Sequence, residues 1–312
     1  MSKKCLVVDP MHESLASMLE GLGWQVDYHP AITRNEIREI HMGYQGLIIR
    51  SKTLVDRDLL GDEPTLRFVG RAGSGLDNLD LDYLGKKNIH VIHAAEGNRD
   101  AVGEFTVGVL LSLLRNIPRA HQEVINGVWL RESNRGDEIM GKTIAIIGFG
   151  NMGQAFAKRL TGFGCKILVY DKYKHGFTNE FWREADMSQI YQECDVLSLH
   201  VPLTDETRAM VDTGYLSKFK KKIILLNTAR GEIIPLSALA ESFAMGFVRG
   251  AALDVLENEK LNELTPPQME GFRNLITSGN VIFTPHIAGW TFESHIKINV
   301  ALVEKIKTLD LS

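Results

Sequence analysis

Residues 143–160 read TIAIIGFGNMGQAFAKRL and contain the pattern that decides the fold. Five apolar residues predict a buried strand, the sequence GFGNMG follows at 148–153, and the residues after it are typical of a helix. In this strand–loop–helix context the glycine spacing predicts a dinucleotide-binding turn. Gly148 permits the tight turn, Gly150 lets the backbone approach a pyrophosphate, and Gly153 lets helix and strand pack closely. The helix N-terminus offers free N–H groups to the phosphates.

A carboxylate follows the next strand of this series. Residues 166–170 are a second apolar run, and Asp171 comes directly after it, 18 residues beyond Gly153. An acid at this distance accepts hydrogen bonds from the adenosine ribose hydroxyls, and its charge repels the 2′-phosphate of NADP. The sequence therefore predicts NAD as the cofactor. The alternative at this point is a flavodoxin-like or methyltransferase lobe that uses a similar turn.

Short β-branched runs alternate with helical patterns along the whole chain. Continuous apolar strands separated by helices predict a parallel sheet covered on both faces. We predict an α/β protein with two doubly wound lobes, joined by a buried helix over 101–114. A last helix over 292–311 would return to the first lobe. The predicted strands are 6–8, 46–49, 91–92, 143–147, 166–170, 196–200, 223–227, 251–255 and 281–284.

Composition narrows the class of protein. The chain has 312 residues, enough for about two domains, and a net charge of −4 gives no bulk attraction for nucleic acid or anionic membranes. No signal-like or membrane-spanning run is found in the sequence, so a cytoplasmic protein is expected. Cys5, Cys165 and Cys194 lack metal or CxxC spacing. They are expected to be buried thiols, and no metal site is predicted.

Three groups after predicted strands are candidates for chemistry. Arg230 follows 223–227, and its planar guanidinium suits a carboxylate, although it could instead cap strand carbonyls. His286 follows the strand near 281, and histidine carries protons near neutral pH, although a lone histidine is often structural. A carboxylate partner would fix its tautomer. Spacing alone leaves that partner open among the acids Asp254, Glu257 and Glu259.

With these residues in place, the chain resembles the D-2-hydroxyacid dehydrogenase family, and most closely its 3-phosphoglycerate dehydrogenase branch. The resemblance covers nearly the whole chain and follows the family's order of motifs. The matching segments are residues 47–53, 69–78, 148–153, 200–204, 227–231, 250–259 and 284–289.

The resemblance implies a set of site residues. Arg230 matches the arginine that binds the substrate carboxylate and carbonyl, His286 the acid–base histidine, and Glu259 the glutamate that pairs with it. The positions that match the lining of the NAD site are Ser74, Gly148, Gly150, Asn151, Met152, Gly153, Asp171, Val201, Pro202, Thr228, Ala229, Asp254 and Gly289. The substrate-facing positions are Arg50, Ser51, Arg71, Ser74 and Gly75.

The resemblance also implies domain limits and assembly. Residues 1–95 with 291–312 would form a flavodoxin-like substrate domain, and 96–290 a Rossmann NAD-binding domain. The active site would lie in a cleft closed by hinge motion, and homodimers would form through the NAD-binding domains. Two departures stand out: Lys260 replaces the usual proline after the glutamate, and the chain ends at Ser312. C-terminal regulatory domains, and feedback by serine through them, are therefore not expected.

The expected reaction is reversible hydride transfer between a D-2-hydroxy acid and NAD. The expected substrate pair is 3-phosphoglycerate and 3-phosphohydroxypyruvate, in serine biosynthesis. Its phosphate needs cationic partners, and the candidates are Arg50, Lys52, Arg71, Arg131 and Arg135. Glyoxylate or hydroxypyruvate reduction is the alternative activity. An NAD-sensing corepressor-type binding protein is the alternative of another class.

Overall fold

The computed structural model describes residues 3–309. Packing divides the chain into two units. The first contains the residues up to Arg99 and those from Trp290 onward, and the second is Asp100–Gly289. The functional division predicted from the sequence, at 95/96 and 290/291, stays a prediction. Leu311, the predicted end of the last helix, lies outside the described residues.

The first unit is built on a five-stranded parallel sheet. Its order, β2-β1-β3-β4-β5, is the flavodoxin-like order predicted for this lobe. The strands are β1 (Lys3–Val7), β2 (Trp24–Tyr28), β3 (Gly46–Ile49), β4 (Phe68–Arg71) and β5 (His90–His93). The helices are α1 (Ser14–Glu20), α2 (Arg34–Ile40), α3 (Arg57–Leu60), α4 (Leu81–Lys86) and, at the end of the chain, α12 (Phe292–Lys307). Helix α5 (Ala95–Leu114) begins in this unit and ends in the second.

The second unit contains a seven-stranded parallel sheet in the order β12-β11-β10-β9-β6-β7-β8. Counted from β6, this is the Rossmann order with one further strand, as predicted. The strands are β6 (Thr143–Ile147), β7 (Lys166–Tyr170), β8 (Arg183–Glu184), β9 (Val196–Leu199), β10 (Ile223–Asn227), β11 (Val248–Leu253) and β12 (Val281–Phe283). The helices are α6 (Ile117–Ile125), α7 (Asn151–Leu160), α8 (Met187–Glu193), α9 (Thr213–Leu216), α10 (Leu236–Ala244) and α11 (Pro266–Ser278).

Each sheet presents apolar side chains on both faces, because successive residues of a strand point to opposite sides. In β6, Ala145 and Ile147 pack into one apolar cluster, whereas Ile144 and Ile146 pack into the other. In the first unit α12 covers one face, where a Cβ on Gly70 of β4 would lie 3.4 Å from Leu302. The sheets are therefore rigid platforms whose carboxyl ends carry the loops.

Two expectations from composition can be compared with the structure. Cys5 and Cys194 are buried, and burial raises the pKa of both thiols, that of Cys194 to about 12. Cys165 is only half-buried, which corrects the prediction for that residue. In residues 3–309, none of the helices combines the length and apolarity needed to cross a bilayer.

Candidate active site

Most of the predicted site residues lie along one edge of the second unit's sheet. Strands β6, β9, β10, β11 and β12 are parallel neighbours, so the loops after their carboxyl ends lie side by side. Open α/β sheets bind ligands at this edge. The order brings together the glycine loop 148–153, Val201 and Pro202, Thr228 to Arg230, Asp254, and His286 to Gly289.

The His286 side chain pairs with Glu259. The Nδ1 atom of His286 lies 2.8 Å from the Glu259 carboxylate, and both side chains are about half exposed. Glu257 is directed elsewhere, since it accepts hydrogen bonds from the Leu236 N–H and the Gln268 amide. The geometry therefore selects Glu259 among the three acids.

Asp254 organises the turn that carries His286. Its side chain is only 2% exposed and accepts hydrogen bonds from the Thr284 hydroxyl (2.6 Å) and the N–H groups of Ile287 (2.9 Å) and Ala288 (2.8 Å). Its backbone carbonyl accepts the His286 N–H at 2.8 Å. The turn holds His286 at φ 55°.

The loop after β10 positions Arg230. The Asn227 amide accepts the Ala229 N–H at 3.0 Å and donates to the Arg230 carbonyl at 2.8 Å, so one buried side chain fixes the turn. The guanidinium donates to the Ala229 carbonyl at 2.7 Å. Gly231 comes so close to Leu256 that a Cβ would lie 1.8 Å from its carbonyl carbon. This close approach brings the arginine loop against the loop that leads to Glu259.

The three glycines of residues 148–153 have distinct surroundings. Gly148 has φ +90°, and a Cβ there would lie 2.6 Å from the His200 carbonyl oxygen. A Cβ on Gly153 would lie 2.1 Å from the Gly148 carbonyl oxygen. Gly150 has no protein atom within 4 Å of its Cβ position and begins α7 without a side-chain cap. The first N–H groups of α7 are thus left for an external acceptor such as a phosphate.

Asp171 lies beside this loop. Its carboxylate accepts hydrogen bonds from the N–H groups of Phe149 (2.9 Å), Tyr173 (3.0 Å) and Lys174 (3.1 Å). An uncapped helix N-terminus, an open glycine and an adjacent carboxylate suit the pyrophosphate and ribose of NAD. The residues present therefore fit this cofactor.

The predicted substrate positions of the first unit follow β3 and β4. The Arg50 N–H donates to the buried Asp9 carboxylate, and Ser51 is exposed beside it. The Arg71 guanidinium lies against Gly73, and the backbone at Gly73 has φ +149°, a conformation that favours glycine. Half-buried Ser74 and Gly75 follow in the same loop.

Two of the cations proposed for a phosphate are engaged elsewhere. The Lys52 ammonium donates to the carbonyls of Val8, Pro30 and Ile32 at 3.0–3.1 Å, so it stabilises loops rather than facing a substrate. Arg135 forms an exposed ion pair with Glu132 at 2.5 Å. Lys260, at the usual proline position, donates its N–H to Asn258 Oδ1 at 3.0 Å, a bond that proline could not form.

Sequence reasoning missed Asp9 and Trp290. Asp9 follows β1 and accepts the Arg50 N–H, while the Trp290 ring lies under the Arg50 guanidinium at 4.3 Å. The signal for Asp9 was its position directly after a predicted strand. No sequence signal indicated the stacking of Trp290, because the two residues are 240 positions apart. In the described part of the chain no group of His, Cys, Asp or Glu is placed to hold a metal ion.

Comparisons with known proteins agree with this architecture. Residues 107–288 match the NAD-binding domain of the D-isomer-specific 2-hydroxyacid dehydrogenases. The chain is 36% identical to D-3-phosphoglycerate dehydrogenase of Methanocaldococcus jannaschii over 97% of its own length and 57% of that protein's. It is 38% identical to hydroxypyruvate reductase of Thermotoga maritima over 88% of each chain. It is 35% identical to (S)-sulfolactate dehydrogenase of Chromohalobacter salexigens, over 85% and 84% of the two chains.

A solved structure shows the same fold. D-lactate dehydrogenase of Aquifex aeolicus, complexed with NAD and lactic acid, superposes with a TM-score of 0.83 at 27% identity over 98% of this chain and 94% of that one. The chain belongs to the D-isomer-specific 2-hydroxyacid dehydrogenase family and carries that family's NAD-binding domain. It spans little more than half the length of the D-3-phosphoglycerate dehydrogenases it matches.

Proposed function

We propose that the protein catalyses the reversible NAD-dependent oxidation of a D-2-hydroxy acid, with 3-phosphoglycerate and 3-phosphohydroxypyruvate as the substrate pair. The observation that carries the proposal is the His286–Glu259 pair, 2.8 Å long, at the sheet edge that also holds the glycine loop. A half-exposed imidazole paired with a carboxylate is suited to proton transfer.

In this proposal His286 takes the proton from the substrate hydroxyl in oxidation and returns it in reduction. Its Nδ1 is engaged with Glu259, so Nε2 is the ring nitrogen that exchanges the proton. Glu259 stabilises the imidazolium form and fixes the ring. When bound, NAD supplies the site that accepts or gives the hydride.

Arg230 is the proposed partner of the substrate carboxylate and of the C2 oxygen. Its guanidinium is planar and presents paired donors, which match a carboxylate. The buried Asn227 amide and the close approach of Gly231 to Leu256 hold the loop that carries it. Arg230 thus orients the reacting carbon and polarises its oxygen.

We propose NAD rather than NADP as the preferred cofactor. Asp171 supplies a carboxylate beside the glycine loop, where a 2′-phosphate would be repelled. Initial rates with NADH and NADPH, at equal concentrations of one keto acid, test this choice. A preference for NADPH would contradict the role given to Asp171.

The names of the relatives bear on the substrate. Several are D-3-phosphoglycerate dehydrogenases, and Arg50 and Arg71 offer cationic partners for a phosphate in the first unit. The second candidate is hydroxypyruvate reduction. It is favoured by the Thermotoga maritima relative, which is matched over 88% of its length.

The deciding experiment supplies the purified protein with NADH and a panel of 2-keto acids. The panel contains 3-phosphohydroxypyruvate, hydroxypyruvate, glyoxylate, pyruvate and 3-sulfopyruvate. We expect the highest kcat/KM with 3-phosphohydroxypyruvate. A higher value with hydroxypyruvate would favour the second candidate. No turnover with any keto acid would overturn the proposal and favour an NAD-sensing binding protein of the corepressor type.

We also propose a homodimer formed through the second unit. Helix α6 buries none of its residues, although Ile117, Val124 and Ile125 are apolar, and Trp129 just after it is 83% exposed. An apolar patch of this kind marks a protein–protein contact. We expect sedimentation to show a dimer, and Ile125→Glu to shift it to the monomer. Met245→Glu, at an exposed apolar residue outside the patch, is the control, and a monomeric wild type would contradict the proposal.

A further inference from the structure

Three exposed side chains of the second unit join two loops that flank the glycine loop. Strand β6 lies between β9 and β7 in the sheet, so the loops after β9 and β7 lie on either side of the loop 148–153 that follows β6. The Glu206 carboxylate, after β9, accepts hydrogen bonds from the Lys172 ammonium at 2.8 Å and the Tyr173 hydroxyl at 2.7 Å, after β7. The contact therefore reaches across the end of β6, at the dinucleotide-binding edge of the sheet.

The lysine of this cluster comes directly after Asp171. The Asp171 carboxylate accepts the N–H groups of Tyr173 and Lys174 at 3.0 and 3.1 Å, so the chain turns around it. Its other oxygen accepts the Phe149 N–H of the glycine loop at 2.9 Å. Asp171 is the residue proposed to meet the adenosine ribose. Lys172 is thus the first cation after that carboxylate, and a 2′-phosphate on the ribose would need such a cation.

The turn that carries Glu206 is fixed by two threonines. The Thr207 hydroxyl donates to the Pro202 carbonyl at 2.7 Å and accepts the Thr204 N–H at 2.8 Å. The Thr204 hydroxyl accepts the Thr207 N–H at 3.3 Å, and its carbonyl accepts the Arg208 N–H at 2.9 Å. Glu206 lies inside this closed turn, so its backbone is held in place before the side chain meets Lys172.

The Lys172–Glu206 pair changes what the lysine can offer to an anion. The hydrogen bond from Lys172, followed by that from Tyr173, lowers the pKa of Glu206, and the hydrogen bond to Glu206 raises the pKa of Lys172. Both groups are therefore charged at neutral pH, and each neutralises the other. Both side chains are more than half exposed, so salt screens the pair and its effect on affinity is moderate.

We propose that Glu206 is a specificity-determining residue for the cofactor, because it holds the one cation that would otherwise pair with the 2′-phosphate of NADP. The inference rests on the proposed function and goes beyond the role given to Asp171. Asp171 repels a 2′-phosphate directly, whereas Glu206 withholds its counter-charge, Lys172. NAD carries a hydroxyl at this ribose position and does not need the lysine, so the pair leaves NAD binding unaffected.

The test compares Glu206→Gln with the wild type. Dissociation constants of NADH and NADPH are measured by fluorescence titration of the full chain at low salt. Glu206→Gln keeps the size of the side chain but releases Lys172, so we expect NADPH to bind about fivefold more tightly and NADH to bind as before. The matched control is Asp205→Asn, which removes the same charge from the neighbouring exposed residue and leaves the Lys172 pair intact. It should leave both constants unchanged.

A second pair of variants identifies the cation. Lys172→Ala alone should bind NADPH as the wild type does, because the paired lysine contributes little to that affinity. Lys172→Ala combined with Glu206→Gln should lose the gain of the single variant. Lys174→Ala combined with Glu206→Gln should keep the gain, because Lys172 is the cation that Glu206 holds.

Binding and turnover separate this inference from the proposed function. If no keto acid is turned over but the NADPH affinity changes as expected, the role of Glu206 stands and the proposed reaction fails. If keto acids are reduced but Glu206→Gln leaves the NADPH affinity unchanged, or Asp205→Asn raises it equally, the role of Glu206 is overturned. A gain that survives Lys172→Ala would overturn it as well. A wild type that binds NADPH as tightly as NADH would overturn this role and the NAD preference together, but not the reaction.

Discussion

His286 adopts a left-handed backbone conformation, with φ 55°, that is uncommon for a residue with a Cβ. Such a conformation costs on the order of 1–3 kcal/mol and persists only where the surroundings enforce it. Asp254 supplies that enforcement, because its side chain accepts three hydrogen bonds from the turn and its backbone carbonyl accepts a fourth from the His286 N–H. The buried acid therefore positions the imidazole, whereas Glu259 is the acid that contacts it.

Asp254→Asn should lower both stability and activity. The two carboxylate oxygens accept from Thr284, Ile287 and Ala288, and an amide would turn a donor towards at least one of these groups. Losing a charge-assisted hydrogen bond in a buried place costs about 1.5–3 kcal/mol. We expect a lower unfolding midpoint in denaturant and a reduced kcat. Asp212→Asn, at an exposed helix cap of the same unit, serves as the control, and equal midpoints for Asp254→Asn and the wild type would refute the positioning role.

His286→Asn should remove proton transfer with little change in the turn. Asparagine tolerates the left-handed conformation better than most residues, so the backbone at φ 55° is retained. Because general acid–base catalysis contributes about 10²–10⁴-fold, we expect kcat to fall within that range. The control His29→Asn alters an exposed histidine of the first unit, outside both the candidate site and α6. Turnover of His286→Asn within a few-fold of the wild type would show that another group moves the proton.

The sequence could predict only those parts of the site whose position depends on neighbouring residues in the chain. Arg230 and His286 each follow a strand that the apolar pattern reveals, so their place at the sheet edge could be expected. The choice among Asp254, Glu257 and Glu259 depended on distances that spacing does not contain. The family resemblance pointed to Glu259, and the 2.8 Å contact agrees with it. The stacking of Arg50 on Trp290 is a tertiary contact without a local signal.

At the scale of elements, the β6–α7 turn assigns a different task to each glycine. Gly153→Ala would place a Cβ 2.1 Å from the Gly148 carbonyl oxygen, whereas Gly150→Ala would meet no protein atom within 4 Å. Gly153 therefore serves the packing of the helix on the strand, and Gly150 serves the approach of a ligand.

These two substitutions should have opposite signatures. Gly153→Ala should lower the melting temperature without NAD present, because the helix must move away from β6. Gly150→Ala should keep that melting temperature near the wild-type value but raise the Kd for NADH, measured by fluorescence titration, by about tenfold or more. The two variants serve as controls for each other. Unchanged NADH affinity in Gly150→Ala would contradict the proposed approach of the pyrophosphate.

The strands that the sequence revealed are those with uninterrupted apolar runs. The bounds predicted for β3, β6, β7 and β10 agree with the structure residue for residue. The missed strands are β2 and β8, both edge strands in which polar residues interrupt the apolar pattern, and β4, where Gly70 and Arg71 weaken it. Helix α5 begins six residues earlier than predicted, because its first turn contains Gly97 and Asn98, which have low helix propensity. Close packing of Gly97 on Ile298 of α12 explains that glycine.

At the scale of the whole molecule, several histidines are held neutral inside the fold. Burial lowers the pKa of His41, His93 and His200. For His200 the value falls to about 3 from 6.5. Its ring lies beside Phe156, and its Nε2 is 2.8 Å from Ser198 Oγ. Burial disfavours the charged imidazolium at these positions, because the folded interior solvates a charge less well than water does.

The buried histidines should make the folded protein sensitive to acid. Between pH 3 and 6.5 the unfolded chain binds a proton at His200 that the folded chain does not, so the free energy of unfolding falls as the pH falls through this window. Above pH 6.5 His200 is neutral in the folded and the unfolded chain, so it costs the folded protein no stability there. Each such histidine adds a slope of at most about 1.4 kcal/mol per pH unit. Denaturant unfolding between pH 5 and 8 should therefore show a shallower pH dependence for His200→Gln than for the wild type. The exposed control His29→Gln should keep the wild-type slope. Since carboxylates titrate alike in all three proteins, equal slopes for His200→Gln and the wild type would rule out a neutral buried His200.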